Sequence, residues 1–257
     1  MTNLVLQQSH AGGVITLELN HSPVNALSQN VVSDLRSKLH AAHDDPSNRA
    51  IIITGAGKAF CGGADLRETP SEGAPSLSPA SLLNFLSELS ASRLPTIAAV
   101  NGACVGAGLE LALCCDIRLA ASDAVFQCAG VNVGLILSAY RLPGVIGLGR
   151  AKEMLLTGLP YSADVAESWG LVTGVHARSD LSEHAMRLAR RLAGRARLSV
   201  EATKRVANGS QHLSEDDGRR FEHQELATLL KSDDHHQAMR AFRKGRPPEF
   251  NPGQEAP

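Results

Sequence analysis

Twice along this chain a short apolar run gives way to a glycine-rich stretch and then to what reads as the start of a helix. Ile51-Ile52-Ile53 leads through Gly55-Ala-Gly-Lys58 to Cys61-Gly-Gly-Ala64-Asp65. Thr96-Ile-Ala-Ala-Val100 leads through Asn101 to Gly106-Ala107-Gly108-Leu109-Glu110. A β-branched run without alternation marks a strand covered on both faces, and small residues behind it let backbone approach backbone or ligand closely. Two such turns call for alternating strands and helices, with amide N–H groups presented where each turn ends. An α/β fold follows, built as ββα coils repeating at roughly forty residues.

Hydrophobic periodicity fills in the rest. It predicts strands over 14–19, 50–54, 96–100, 117–121 and 124–128. Helices are expected over 30–43, 79–92, 145–157, 162–168 and 180–193, with another beginning near Leu109. Pro70, Pro75 and Pro79 mark 67–80 as a loop. Charge density about doubles beyond residue 200, which separates a core over 1–197 from a surface-rich helical region over 198–257, with helices at 198–207, 214–230 and 233–243.

Composition removes several function classes. With 25 Lys+Arg against 26 Asp+Glu, the net charge of -1 supplies no field for gripping nucleic acid or an anionic membrane. The start of the chain does not read as an export leader, and the apolar stretch from Ile97 is broken by Asn101, glycines and Glu110, so no membrane span is expected. Cys61, Cys104, Cys114, Cys115 and Cys128 are odd in number, sit in apolar surroundings and lack metal-ligand spacing. They read as buried thiols of a cytoplasmic protein with no metal site.

The two turns can supply converging backbone donors of the kind an oxyanion needs. Read as phosphate cradles instead, they fit neither the P-loop spacing nor GxGxxG followed by a distant acid, and plain tight turns are the other reading of the same glycines. Glu110, among Leu109, Leu111 and Leu113, either complements a helix dipole or serves as a half-buried acid/base, and its apolar company favours the second role.

Lys58-Ala-Phe-Cys-Gly-Gly-Ala-Asp-Leu66 and Asn101-Gly-Ala-Cys-Val-Gly-Ala-Gly-Leu-Glu-Leu-Ala-Leu-Cys-Cys-Asp116 together resemble the paired signature of the enoyl-CoA hydratase/isomerase (crotonase) family. The resemblance extends to Leu19-Asn-His-Ser-Pro-Val-Asn-Ala-Leu27 near the start and Ala241-Phe-Arg-Lys-Gly-Arg-Pro-Pro-Glu-Phe250 near the end. It implies a crotonase-like spiral of ββα units with a C-terminal helical trimerisation region, assembled as a homotrimer or a hexamer of two trimers. It also implies an acyl-CoA thioester substrate and no separate cofactor.

Carried over residue by residue, the resemblance makes the amides of Ala64 and Ala107 the oxyanion donors and Glu110 the acid/base. Ala26, Lys58, Ala64, Asp65, Leu66, Gly106, Ala107 and Phe242 become the coenzyme A contacts, with Arg243-Lys244 nearby. Hydratases of the family pair this glutamate with a second one, and that position is Gly130 here. The segment Ala129-Gly-Val-Asn-Val-Gly134 resembles the enoyl-CoA hydratase domain-containing subgroup that lacks the second glutamate. Hydration of a 2-trans-enoyl-CoA in acyl-CoA metabolism is the nominal reaction. A double-bond isomerase using Glu110 alone, or a catalytically weak acyl-CoA-binding protein, are the alternatives. Asn132, Ser138 and Tyr140 near the altered segment, and Glu68 and Glu72 on the loop, have structural readings as turn residue, cap and solvated charges.

Overall fold

The computed structural model describes residues 3–67, 77–210 and 212–250. β1 (Val5–His10) and β2 (Val14–Leu19) form an antiparallel hairpin, and β2 buries Val14, Ile15, Leu17 and Leu19. α1 (Gln29–Asp44) begins where the Ser28 hydroxyl accepts from the Val31 N–H at 3.2 Å. Its buried stripe of Val31, Leu35 and Leu39 has the predicted helical spacing.

Three coils follow. The first is β3 (Ala50–Gly55), β4 (Ala59–Cys61) and α2 (Pro79–Ser90); the second is β5 (Thr96–Val100), β6 (Ala103–Val105) and α3 (Ala107–Leu113). The third comprises β7 (Ile117–Ala121), β8 (Val125–Gln127) and a 3-10 turn at Ala129–Val133, ahead of α4 (Leu142–Ile146) and α5 (Leu148–Thr157). β9 (Pro160–Ser162), α6 (Ala163–Ser168), β10 (Val175–His176) and α7 (Leu181–Ala193) close the core.

Each coil contributes one strand to each of two sheets. The longer strands join a six-stranded sheet in the order β1-β2-β3-β5-β7-β10, and the short ones a four-stranded sheet ordered β4-β6-β8-β9. Ile52 pairs with Ile97 and Ile97 with Ile117 in the first, while Cys61, Cys104 and Phe126 align across the second. The core lies between these layers, around the fully buried Phe60, Phe85 and Phe126. α7 lies across β2, β3, β5 and β7, burying Leu181, Ala185 and Ala189. This is the expected spiral of ββα units.

Several expectations change in detail. β4 and β6 stand between each long strand and its glycine turn, so neither turn joins a long strand directly to a helix. The second turn does open a helix, α3. After the first, Ala64 instead forms an isolated parallel bridge with Leu27, and most of the loop expected over 67–80 lies outside the described residues. The helix expected over 145–157 is part of two, α4 and α5, separated by Gly147 at φ 81°, a left-handed conformation that interrupts the hydrogen-bond ladder.

Beyond the core come α8 (Arg197–Ser210), α9 (Glu215–Leu229) and α10 (Asp233–Arg243). α8 is tied to the core by polar contacts. Lys204 Nζ donates to Asp116 Oδ2 at 2.8 Å and to the Leu94 carbonyl at 3.0 Å, and Arg93 pairs with Glu201 at 2.9 Å. α9 buries no residue fully; Leu226 on it, Leu230 just past its end, and Met239 and Phe242 on α10 are exposed.

All five thiols are buried and unpaired. Burial pushes the Cys61, Cys115 and Cys128 thiols up to about 12 and raises Cys104 and Cys114 as well, because the core cannot solvate a thiolate. The folded protein is therefore expected to show no rapidly reacting thiol toward an aromatic disulfide reagent at pH 8, and five after denaturation. Rapid labelling of the native protein would contradict the packing described.

Candidate active site

The two glycine turns meet. A Cβ placed on Gly63 would lie 3.0 Å from the Val105 carbonyl oxygen and 3.5 Å from the Ala107 nitrogen, and one on Gly108 would lie 2.2 Å from the Cys61 carbonyl oxygen. The first turn thus presses against the start of α3 through positions that carry no side chain. Gly63 and Gly106, which precede the two alanines, both have left-handed φ angles of 103° and 53°, and the Gly106 N–H is held by the Gln127 carbonyl at 2.9 Å.

Both alanine amides are left available. Leu27 donates to the Gly63 carbonyl at 2.8 Å and accepts from the Asp65 N–H at 2.9 Å. In such a parallel bridge the residue between those two groups points its own N–H to the other side, so the Ala64 amide faces away from Leu27. Ala107 is the first residue of α3, where an N–H has no partner inside the helix. Neither N–H is taken by an acceptor among the described residues.

Glu110 lies one turn into α3 beyond Ala107, on the same side of the helix. It is only 7 % exposed. Its Oε1 accepts from Arg141 Nε at 3.0 Å, while Oε2 is buried without a hydrogen-bond partner among the described residues. Two backbone donors beside a buried carboxylate with one free oxygen can stabilise an enolate and move a proton at the neighbouring carbon.

A family model for enoyl-CoA hydratase/isomerase matches residues 9–253. The chain belongs to the enoyl-CoA hydratase/isomerase family. A probable mitochondrial enoyl-CoA hydratase of Dictyostelium discoideum is 35 % identical over 242 residues, covering 93 % of this chain and 87 % of the relative. A peroxisomal Delta(3,5)-Delta(2,4)-dienoyl-CoA isomerase of Arabidopsis thaliana is 30 % identical, with 96 % and 95 % covered. The crystal structure of an enoyl-CoA hydratase from Bacillus anthracis superposes with a TM-score of 0.90 at 30 % identity, covering 98 % of this chain and all of that one.

Gly130, where the resemblance expects a second glutamate, lies in a tightly closed segment. A Cβ there would lie 2.8 Å from the Leu135 carbonyl oxygen, and the Leu135 N–H closes the segment on the Gly130 carbonyl at 2.8 Å. The backbone at Leu135 thus occupies the space a side chain at Gly130 would need. Asn132 Nδ2 bonds the Gly158 carbonyl at 3.0 Å, and the Tyr140 hydroxyl lies 3.2 Å from His212 Nδ1. The Ser138 hydroxyl caps no helix; its backbone carbonyl accepts from Leu142 and its φ is 64°. Glu68 and Glu72 lie outside the described residues.

The remaining sequence-predicted positions are spread around the turns. Ala26 is buried beside Leu27, and Lys58 is exposed at the tip between β3 and β4. The Asp65 carboxylate binds Arg67 through two contacts at 2.9 Å, which lowers its pKa to about 2. Leu66 and Phe242 are 62 % and 77 % exposed. Arg141 is the residue of the candidate site that sequence reading overlooks. It lies 31 residues from its partner Glu110 and carries no motif of its own. An isolated arginine between Tyr140 and an apolar helix start is the only local sign of it. Arg141 and Cys114 also line a cavity of about 1300 Å³ between α8 and the core, which begins one helical turn past Glu110.

Gly63→Ala tests the meeting of the turns. Its left-handed φ and the close Val105 carbonyl predict a loss of about 1–3 kcal/mol of stability, measurable by thermal unfolding, together with weakened thioester binding. A variant with parental stability and affinity would contradict the geometry.

Proposed function

We propose that this protein acts on an acyl-CoA thioester through an enolate, with the Ala64 and Ala107 amides as oxyanion donors and Glu110 as its acid/base. The observation that carries this reading is the pressing of the Gly63 turn against Ala107 beside a buried carboxylate with one free oxygen. Substrate carbonyl oxygen accepts from both N–H groups, and each preorganised donor is worth about 10²–10³ in rate.

For a 3-enoyl thioester, Glu110 takes the proton from C2. The C–H bonding pair becomes the C1=C2 bond of the dienolate, and the carbonyl π pair moves onto the held oxygen. On return, the carbonyl re-forms, the double bond settles between C2 and C3, and the same carboxyl delivers its proton to C4. One carboxylate completes this cycle. Hydration of a 2-trans-enoyl-CoA, the nominal family reaction, instead benefits from two carboxylates holding the water. The Leu135 backbone over Gly130 therefore favours isomerisation, with hydration as the second reading.

Coenzyme A is part of the substrate here, and no further cofactor enters the mechanism. Ala26, Lys58, Asp65, Leu66 and Gly106 are assigned to its near side. Phe242, exposed on α10 next to Arg243, is assigned to the nucleotide of a neighbouring subunit. The exposed Leu226, Leu230 and Met239 support a homotrimer or a pair of trimers, with 1–197 as the acyl-CoA-binding core and 198–257 as the assembling region. No helix among the described residues is long and apolar enough to cross a membrane, and the unpaired thiols support a reducing, cytoplasmic setting.

Following the conjugated thioester absorbance with 3-hexenoyl-CoA and crotonyl-CoA tests this reading. Glu110→Gln is expected to lower turnover by about 10²–10⁴-fold with little change in thioester affinity. Unchanged turnover would remove Glu110 from its role. Tight binding by the parent protein with no turnover of any thioester would favour a binding protein. Gly130→Glu is expected to lose stability and to gain no hydratase activity, because the Leu135 carbonyl occupies the space its Cβ needs. A gain in hydration would show that the segment yields.

A further inference from the structure

The segment that closes over Gly130 has a second effect, since it ends by delivering a guanidinium to Glu110. From the Gly130 carbonyl, which holds the Leu135 N–H at 2.8 Å, the chain passes through left-handed Ser138, which is 7 % exposed, and reaches Arg141 immediately before α4. Arg141 Nε meets Glu110 Oε1 at 3.0 Å, and its guanidinium also lies 3.3 Å from the hydroxyl of Ser90 at the end of α2. The Glu110 side chain is 9 % exposed and Arg141 is its one ion-pair partner among the described residues. Two buried thiols, Cys114 at the C-cap of α3 and Cys128 ahead of the 3-10 turn, are near enough to interact with it electrostatically.

We propose that Arg141 is the positioning residue of the acid/base, holding Glu110 Oε1 so that Oε2 alone faces the substrate carbon. A carboxylate buried among leucines and thiols turns freely about its last bond unless one oxygen is fixed, and a charge-assisted bond from a side chain anchored elsewhere fixes it. The need is greater in this chain because one carboxylate must both remove and return the proton, at carbons two bonds apart. Where a second carboxylate would have shared that task, the segment supplies a cation acting from behind. Arg141 touches the reacting atoms only through Glu110. This inference rests on the acid/base reading of Glu110.

The test compares Arg141→Met, Arg141→Lys, Ser90→Ala and Glu110→Gln in the intact protein, with 3-hexenoyl-CoA as substrate. Arg141→Met is expected to lower kcat by about 10²-fold while KM stays within about threefold, and Arg141→Lys to recover about tenfold of that loss. Adding Arg141→Met to Glu110→Gln is expected to cause no further loss, because the two act as one unit. Ser90→Ala loosens the anchor without touching the carboxylate, and its expected effect is a loss of about three- to tenfold in kcat at unchanged KM. That variant decides the question if Arg141→Met does not fold.

Parental kcat in Arg141→Met, or in Ser90→Ala where that variant decides, overturns the proposal while Glu110→Gln still inactivates. So does a loss that lysine does not rescue and that multiplies with Glu110→Gln. Parental turnover in Glu110→Gln removes the acid/base reading, and this proposal with it.

Discussion

Backbone from one coil packs against backbone from the next with no side chain between them, and the placement of the site depends on this contact. Gly102 lies against the Lys58 carbonyl and Gly108 against the Cys61 carbonyl, at separations where a Cβ would fall 1.9 and 2.2 Å from the oxygen. At that spacing β4 and β6 pair directly, and the Gly63 turn reaches the first residue of α3. Any larger residue at these glycines would push the coils apart and separate the two amides. A preorganised pair of donors is effective because its geometry is set before a substrate arrives, and for the Ala64 and Ala107 amides, proposed as such a pair, it is set by the stacking of the spiral.

The carboxylate is subject to the opposite constraint. α3 must bury Glu110 to bring it beside the amides, and an ionised group removed from water needs a partner. Arg141 provides one for Oε1 and leaves Oε2 free. The unpaired oxygen is costly to the fold, as functional sites often are. The same segment excludes a side chain at Gly130, so that exclusion and the delivery of Arg141 to Glu110 have a common structural origin.

The sequence made much of the frame legible because its signals were local. The strands at 14–19, 96–100 and 117–121 and the helix at 233–243 agree with β2, β5, β7 and α10 to the residue. β4 and β6 were not legible. Three residues in a run of alanine, cysteine and glycine show no periodicity, and only pairing across coils makes them strands. The turns were recognisable from their glycines, yet the first proved to be a bridge to Leu27 rather than a helix start, a contact made 37 residues back along the chain. Ala64, Ala107 and Glu110 lie on motifs, so the candidate site could be proposed from them. Arg141 depends on a contact across 31 residues, which no local pattern encodes.

The central claim is that the Ala64 and Ala107 amides meet at one thioester oxygen. A crystal structure of the protein with a bound acyl-CoA tests it most directly. The account predicts the thioester carbonyl oxygen within about 2.7–3.1 Å of both nitrogens, with Glu110 Oε2 facing C2. A bound thioester whose carbonyl oxygen meets neither amide, or only one of them, would contradict it.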